Sequence, residues 1–270
     1  MNNPALFEQI NFISKRDAIN FLDDISPKLK WNNSISNVLD IGCGDGSVTS
    51  MLKKYIPTDF KLLGCDISEK MVNFANDHHS NEQTSFTVLD IAGDIPEDMK
   101  GKFDHVFSSY ALHWVLDQER VFRNIYDLLS KDGECFTIFI ANAPVYDLYR
   151  AQSPCSKWES WLKDVHKFIS PYHDMQQPEK NVTQMMQEIG FRNIDVKCKE
   201  MRFEFDSVEA MKNTVKAIEP FNRPKDVYEE FMQDYYSVAQ DIGVVEINNN
   251  NIGDTSINCS YSLLVVCASK

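Results

Sequence analysis

The segment from Val38 to Gly46 constrains the fold of this chain more than any other feature. It reads VLDIGCGDG, so an apolar run ends in an acid and then passes through three closely spaced glycines. Glycine lets the backbone turn tightly without steric cost. The apolar positions that follow share one helical face, namely Val48, Met51, Leu52 and Tyr55. A strand, a glycine turn and a helix start leave bare backbone N–H groups at the positive end of the helix, so the sequence predicts a ligand site there.

Two further apolar runs also carry acids at their ends. LLGCD closes on Asp66, twenty residues after Gly46, which is the spacing of a carboxylate that hydrogen-bonds a ribose diol. FTVLDI carries Asp90. Asp40 lies two residues before the first glycine, where a carboxylate favours a cationic ligand over a phosphate. S-adenosylmethionine has that character, and the pattern resembles class I S-adenosylmethionine-dependent methyltransferases. The alternative is that each acid only caps a strand-to-helix turn.

Strand-like and helix-like runs alternate through the first half of the chain, which predicts a parallel sheet with helices on both faces. The whole pattern predicts an α/β fold, with a Rossmann-like, seven-stranded, mostly parallel sheet and an inserted helical cap. We expect residues 1–270 to form one methyltransferase domain, with an N-terminal helical segment at 1–30 and cap insertions at 144–190 and 206–242. Within the first insertion, the pattern predicts one helix-like stretch from Tyr146 to Ser170.

The composition excludes several classes of partner. The formal net charge of −13 argues against nucleic acid, which needs clustered Lys and Arg, and against anionic membranes. No leader-like or membrane-spanning apolar segment is found in the sequence. The seven scattered cysteines are typical of reduced thiols in a cytoplasmic protein, and no metal-ligand spacing occurs. A monomer and a homodimer are both compatible with the sequence.

Aromatic residues are dense in the cap insertions. Such residues can dock helices, or they can line an apolar pocket in which a lipid-like substrate gains roughly 0.8 kcal/mol per buried methylene. The candidates for the pocket are Tyr146, Trp158, Trp161 and Phe221, together with Tyr110 from the sheet.

The loop after the fourth strand, SSYALHW, points to the chemistry. Ligands of open α/β sheets bind at the carboxyl ends of strands, so this loop is expected beside the methyl donor. Trp114 offers one N–H donor and an apolar plate, which suits a carboxylate on an apolar chain. A carboxylate is already ionised at neutral pH and needs no general base. His113 is a second candidate to reach the acceptor; the alternative is that Trp114 packs the loop and His113 faces solvent.

The chain resembles the insect juvenile hormone acid O-methyltransferases along essentially its whole length. The matching segments are KRDA, DIGCGDGSVT, GCDIS, VLDI, FDHVFS and LHW, and the more specific FISP-x-HD and PFN in the cap. The resemblance implies S-adenosylmethionine as donor, S-adenosylhomocysteine as product, and a sesquiterpenoid acid (farnesoic acid or a juvenile hormone acid) as the methylated substrate.

The resemblance also implies roles for particular residues. Trp114 would donate to the substrate carboxylate. The expected contacts to the donor come from Asp40, Gly42, Cys43 and Gly44 at the methionine end, Asp66 and Ile67 at the ribose, Asp90 and Ile91 at adenine, and Ser108 from strand four.

One position departs from the family pattern. Family members carry a glutamine just before the Lys-Arg-Asp segment, as a second donor to the carboxylate, where this chain has the shorter Ser14. Gln9 is a candidate replacement. The departure keeps three alternatives open: another apolar acid as substrate, a phenol or amine acceptor that would need His113 as a base, and a catalytically weak terpenoid-binding paralog.

Overall fold

The fold was analysed on a computed structural model, which describes residues 4–31, 35–221, 223–243, 246–249 and 255–270. Eight strands form one sheet in the order β3-β2-β1-β4-β5-β8-β6, and β7 pairs with β8. The strands are β1 (Ser36–Ile41), β2 (Phe60–Asp66), β3 (Thr84–Val88), β4 (Phe103–Ser109), β5 (Leu129–Asn142), β6 (Arg192–Phe205), β7 (Glu246–Asn249) and β8 (Thr255–Ser269).

Ten α-helices connect and cover these strands in the described parts of the chain. They are α1 (Pro4–Ile10), α2 (Phe12–Ile25), α3 (Ser47–Leu52), α4 (Glu69–His79), α5 (Gln118–Leu128), α6 (Pro144–Gln152), α7 (Glu159–Leu162), α8 (Pro178–Ile189), α9 (Val208–Ile218) and α10 (Lys225–Asp241). Short 3-10 helices follow α2 and α3 and lie at Leu112–Trp114 and Val165–Phe168. We call α6, α7, α9 and α10 the cap helices.

The strand pairing brings the predicted ligand loops to one edge of the sheet. β1 is parallel to β2 and β4, and its last residue, Ile41, pairs with Cys65 and Ser108. β2 is parallel to β3, with Asp66 opposite Val88. The carboxyl ends of these strands therefore point the same way, and the turns that follow them meet.

The α/β class and the seven-stranded path are confirmed, and the sheet is mixed because β8 is antiparallel to its neighbours β5, β6 and β7. The position of Ser68 just before the helix-like run Glu69 to Asn76 predicts a helix cap, and its side chain does accept a hydrogen bond from the Met71 N–H at the start of α4.

Some predicted boundaries were wrong. The stretch 146–170 is not one helix but α6, α7 and a 3-10 turn. The spacing of Val121, Ile125, Leu128 and Leu129 predicts one helix, but Leu129 begins β5. β3 ends at Val88, so Asp90 lies two residues beyond the strand. The expected Asn-rich turn at 248–251 falls partly in β7 and otherwise outside the described residues. Helical and extended segments that are fully apolar look alike in sequence, which explains the error at Leu129.

Two apolar cores support the site from opposite sides. One lies between the sheet and helices α5 and α8, and includes Leu39, Val106 and Phe122. The other joins the cap helices to the ends of β6 and β8, and includes Tyr149 and Phe231. The cap is thus held on the strand ends by its own buried aromatic cluster.

No helix in the described ranges combines the length and the apolar character needed to cross a membrane.

Candidate active site

The turn after β1 is fixed by hydrogen bonds to the end of β2. The N–H groups of Gly42 and Cys43 both donate to the Cys65 carbonyl, at 2.7 and 2.9 Å. Gly42 has φ of +72°, and a Cβ added there would lie 2.0 Å from the Ala111 Cβ. Only glycine satisfies both conditions, because side chains disfavour positive φ and the loop after β4 packs directly on this residue.

Asp66, at the end of β2, holds the same turn. Its Oδ2 accepts from the Gly44 N–H at 3.0 Å and its Oδ1 accepts from the Ser68 N–H at 2.8 Å. The residue is 9% exposed, and burial raises the pKa of its carboxyl group. Each carboxylate oxygen can accept more than one hydrogen bond, so capacity remains for a ribose hydroxyl.

A cavity opens beside this turn, and we call it the glycine-turn cavity. Its wall brings together six of the predicted site residues and Trp114: Gly42, Asp66, Ile67, Asp90, Ile91, Tyr110 and Trp114. The structure therefore collects the ends of β1, β2, β3 and β4 around one space.

The lining of the glycine-turn cavity fits an adenosine-type donor. Ile67 is 69% exposed although it is a large apolar residue, so it presents an uncovered apolar surface to a ligand. Leu89 and Ile91 lie in the same wall, beside the Asp66 carboxylate. This arrangement matches a ligand whose flat base packs between the apolar side chains and whose ribose hydrogen-bonds the carboxylate.

Two residues predicted to contact the methyl donor have side chains that do not face the glycine-turn cavity. Asp40 is 3% exposed and accepts from the Thr49 hydroxyl at 2.5 Å, below the sheet edge. Burial, opposed by that hydrogen bond and reinforced by Asp66, raises the pKa of Asp40 to about 7. Ser108 is 1% exposed, and its hydroxyl donates to the Ile41 carbonyl at 2.8 Å. Neither lies in the wall of the glycine-turn cavity, and both instead line a small separate cavity beside α2 and α3.

Cys43 and Gly44 contribute to the site by shaping the backbone of the glycine turn, and neither residue lines the cavity. The Cys43 side chain is 6% exposed and packs with Val72, Ala75 and Phe86. Gly44 has φ of +53°, and a Cβ added there would lie 3.6 Å from the Phe7 ring of α1. Helix α1, which the sequence did not predict as a separate element, thus packs over the glycine turn.

A second cavity lies under the cap, and we call it the cap chamber. Its walls are mostly apolar and come from the N-terminal helices, the ends of β5, β6 and β8, and the cap helices; they include Phe7, Ile10, Ile13, Ile140, Val145, Leu148, Phe203, Phe205, Met211, Val215, Ile218 and Tyr235. The chamber and the glycine-turn cavity share Tyr110, Trp114 and Ile218. The two spaces therefore meet at the loop that the sequence singled out.

His113 and Trp114 lie in the chamber wall on a 3-10 turn. His113 is 2% exposed, and burial lowers its pKa to about 3, so its ring is neutral at physiological pH. The Ile140 N–H donates to its Nδ1 at 3.4 Å, which places the ring proton on Nε2. No hydrogen bond joins the indole N–H of Trp114 to another described residue. Both side chains are thus uncharged donors.

Most of the predicted pocket aromatics pack in the cap instead. Tyr146 is 1% exposed and contacts His173 edge-on. Trp158 donates its N–H to Asp234 at 2.9 Å. Trp161 and Phe221 pack against the core of the cap helices. None of the four lines the chamber. Of the predicted aromatics, Tyr110 and Trp114 alone lie in its wall.

The two N-terminal candidates for a second donor to the carboxylate, Gln9 and Ser14, lie in different environments. Gln9 is exposed on α1 and is absent from both cavity walls. Ser14 lines the chamber, but its hydroxyl donates to the Asn11 carbonyl at 2.9 Å.

Sequence reasoning missed several wall residues. Phe203 and Phe205 alternate along β6 and so face the same side, a period-2 signal that was available. Asp17 and Tyr261 gave no local signal, because their contact joins residues 244 positions apart.

Comparisons with known proteins identify the family. A methyltransferase domain family matches residues 39–135, which covers β1 to β5. The juvenile hormone acid O-methyltransferase of Bombyx mori is 47% identical, over 100% of this chain and 98% of its own length. The enzyme of that name from Drosophila melanogaster is 34% identical, over 100% of this chain and 93% of its own.

A solved structure shows the same fold at low identity. Phosphoethanolamine N-methyltransferase 2 of Haemonchus contortus, in complex with S-adenosyl-L-methionine, superposes with a TM-score of 0.56 at 17% identity, covering 93% of this chain and 52% of that chain. Full-length identity to the two insect enzymes, together with the donor-type cavity, settles the family. The chain belongs to the juvenile hormone acid O-methyltransferases, which are S-adenosylmethionine-dependent enzymes.

Proposed function

We propose that this enzyme transfers a methyl group to the carboxylate of a sesquiterpenoid acid, farnesoic acid or a juvenile hormone acid, and releases the methyl ester. The observation that carries the proposal is the junction of an adenosine-type cavity with an apolar chamber at Tyr110 and Trp114. The names of the two full-length relatives support the choice of acid.

The chamber suits an acid with a long apolar chain. Among the described residues in its wall, none is a lysine, an arginine or a carboxylate. Each methylene that moves from water into such a wall contributes roughly 0.8 kcal/mol. The acid group then needs neutral hydrogen-bond donors, which Trp114 and His113 provide at the junction.

Catalysis in this arrangement depends on alignment. S-adenosylmethionine, when bound, supplies a methyl group made electrophilic by its sulfonium. The indole of Trp114 and the Nε2–H of His113 would hold the carboxylate and direct one oxygen toward the glycine-turn cavity. Orientation of two reactants can lower a barrier by about 7–11 kcal/mol. The apolar walls would exclude water from the junction.

The site favours an acid over a phenol or an amine. An acceptor that must lose a proton needs a base. His113, the predicted base, has a pKa lowered to about 3 by burial and is a poor proton acceptor. The Tyr110 hydroxyl already donates to Asp17 at 2.5 Å. A carboxylate is ionised in water and requires neither group.

The proposal is tested with purified protein, S-adenosylmethionine and a panel of acids, with the ester detected by mass. We expect methyl esters of farnesoid acids. Trp114→Phe keeps the ring but removes the N–H, and should lower kcat/KM roughly tenfold to a hundredfold, the value of a charge-assisted hydrogen bond. Binding of S-adenosylhomocysteine, measured by calorimetry, should stay within twofold.

The matched control is Trp161→Phe, a tryptophan of the cap core outside both cavities. It should leave kcat/KM unchanged. Turnover of fatty acids but of no farnesoid acid would replace the proposed substrate with another apolar acid. Tight terpenoid binding without any ester would instead identify a non-catalytic paralog. The cytoplasmic location and the monomeric or homodimeric state stay predictions from sequence.

A further inference from the structure

A buried network lies under the junction of the two cavities, and its centre is Asp17 of α2. Asp17 is 2% exposed. Its Oδ2 accepts from the Tyr110 hydroxyl and from the Tyr261 hydroxyl, each at 2.5 Å. Its Oδ1 accepts from Arg16 Nε at 2.9 Å, and Arg16 Nη2 donates to the Tyr261 oxygen at 2.6 Å. The charges of Asp17 and Arg16 therefore balance within one closed set of hydrogen bonds.

The network ties together parts of the chain that are far apart in sequence. The bond from Tyr110 spans 93 residues and the bond from Tyr261 spans 244. Both tyrosines lie in the wall of the cap chamber, and Tyr110 also lies in the wall of the glycine-turn cavity. Burial keeps both phenols protonated by raising the pKa of each, so both continue to donate.

Tyr110 has a backbone conformation that needs external support. Its φ is +57°, in the left-handed region that a bulky side chain adopts only at a cost in free energy. Such residues persist where their surroundings over-determine them, often at functional sites. Tyr110 is held from both sides, because its N–H donates to the Ile138 carbonyl at 2.9 Å and its hydroxyl donates to Asp17.

The conformation of Tyr110 decides where the next residues go. Ala111 follows it and packs on the glycine turn, 2.0 Å from where a Gly42 Cβ would be. The 3-10 turn Leu112–Trp114 then begins, closed by the Trp114 N–H donating to the Ala111 carbonyl at 3.0 Å. A shift at Tyr110 would therefore move His113 and Trp114 relative to the donor.

We propose that Asp17 is a positioning residue for methyl transfer. By anchoring the Tyr110 hydroxyl, it holds the loop after β4 in the conformation that aligns the acid-binding donors with the glycine-turn cavity. This inference rests on the proposed function for its kinetic consequence. Its structural consequence, the rigidity of residues 110–115, stands independently of the substrate.

The first readout is hydrogen exchange of the backbone amides of residues 110–115 in the full-length protein with S-adenosylhomocysteine. Tyr110→Phe keeps the ring but removes the hydroxyl, and should speed exchange in this segment at least tenfold. Tyr55→Phe is the matched control. The Tyr55 hydroxyl donates at 2.7 Å to Asp23, which lies on α2 like Asp17, but neither Tyr55 nor Asp23 lines either cavity. It should leave exchange at 110–115 unchanged.

The second readout is kinetic. Tyr110→Phe and Asp17→Asn should each lower kcat roughly tenfold to a hundredfold, since small misplacements of aligned groups have effects of that size. KM for S-adenosylmethionine should stay unchanged. Because both act through one hydrogen bond, the double variant should lose no more than the worse single variant. If Asp17→Asn does not fold, the Tyr110→Phe variant alone still tests whether the hydrogen bond to Asp17 positions the loop.

Unchanged exchange at 110–115 in Tyr110→Phe would overturn the proposal, as would losses in kcat that multiply in the double variant. A wild-type protein that esterifies no acid would contradict the proposed function, whereas the exchange experiment would still decide the role of Asp17.

Discussion

Ser14 lies in the chamber wall where the family resemblance led us to expect a second hydrogen-bond donor for the substrate carboxylate. Its side chain is in the wall, but its hydroxyl is already donated to the Asn11 carbonyl within the helical segment. A partly buried serine whose hydroxyl makes that bond offers no N–H to a substrate carboxylate. In the proposed function, the acid would be held by the two donors of the 3-10 turn, Trp114 and His113.

Ser14→Gln is expected to raise kcat/KM for farnesoid acids about tenfold, because a longer amide adds one charge-assisted hydrogen bond of roughly 1.5–3 kcal/mol. The measurement is steady-state ester formation at limiting acid. Ser14→Leu has similar length and no donor, so it should bring no gain. Equal activity of the glutamine and leucine variants would show that this position does not limit carboxylate binding.

At the scale of elements, the site depends on two loops that touch. The turn between β1 and α3 and the loop between β4 and α5 meet where Gly42 faces Ala111. The turn is fixed by the Cys65 carbonyl and by Asp66, and the loop by Asp17 through Tyr110. Each loop thus has its own anchor, and their contact sets the distance between the two cavities.

Gly42→Ala and Gly101→Ala separate the cost of backbone conformation from the cost of this contact. Both glycines have positive φ, +72° and +65°, but a Cβ at Gly101 would meet nothing within 4 Å. Gly101→Ala should lower the free energy of unfolding by about 1–2 kcal/mol, the cost of a left-handed residue. Gly42→Ala should cost about 1–3 kcal/mol more from overpacking.

The two variants should also differ in ligand binding. Gly42→Ala displaces Ala111, so affinity for S-adenosylhomocysteine should fall in calorimetry, while Gly101→Ala should retain it. Urea unfolding gives the stabilities. Equal losses of stability in the two variants would mean that the loop contact carries no cost of its own.

At the scale of the whole molecule, Asp40 makes stability depend on pH. Burial raises its pKa to about 7 in the folded protein, compared with 3.8 when exposed. Between these values the folded state binds a proton that the unfolded state does not, so stability from this group is present at low pH and is lost as pH rises toward 7. Above that range the folded protein holds a buried, charged carboxylate.

Asp40→Asn removes this dependence, so its Tm relative to wild type should increase from pH 4.5 to pH 7.5 and then level off. Calorimetric or circular-dichroism melts at several pH values measure the difference. The amide can still accept from Thr49, whose hydroxyl bonds Asp40 at 2.5 Å. A Tm difference that did not change with pH would contradict the raised pKa.

The same scale shows how much could be read from the chain itself. The glycine turn, the strand-end position of Asp66 and the loop with Trp114 are local patterns, and the structure places all three at one sheet edge. The strand ends converge because parallel strands point the same way, which the alternation of strands and helices already implies. The family resemblance, stated from the motifs, is confirmed over the full length.

Side-chain direction and long-range contact were decided by tertiary structure alone. The density of aromatic residues in the cap singles out Tyr146 and Trp158, but an aromatic side chain can pack in a core or line a cavity, and both pack in apolar cores. Asp40 lies one residue before the end of β1, whereas Asp66 ends β2, and the Asp40 side chain is buried against Thr49 of α3 instead of facing the glycine-turn cavity. The carboxylate of Asp17 meets hydroxyls from β8 and the β4 loop only after the sheet forms, because no local pattern links residues so far apart in sequence.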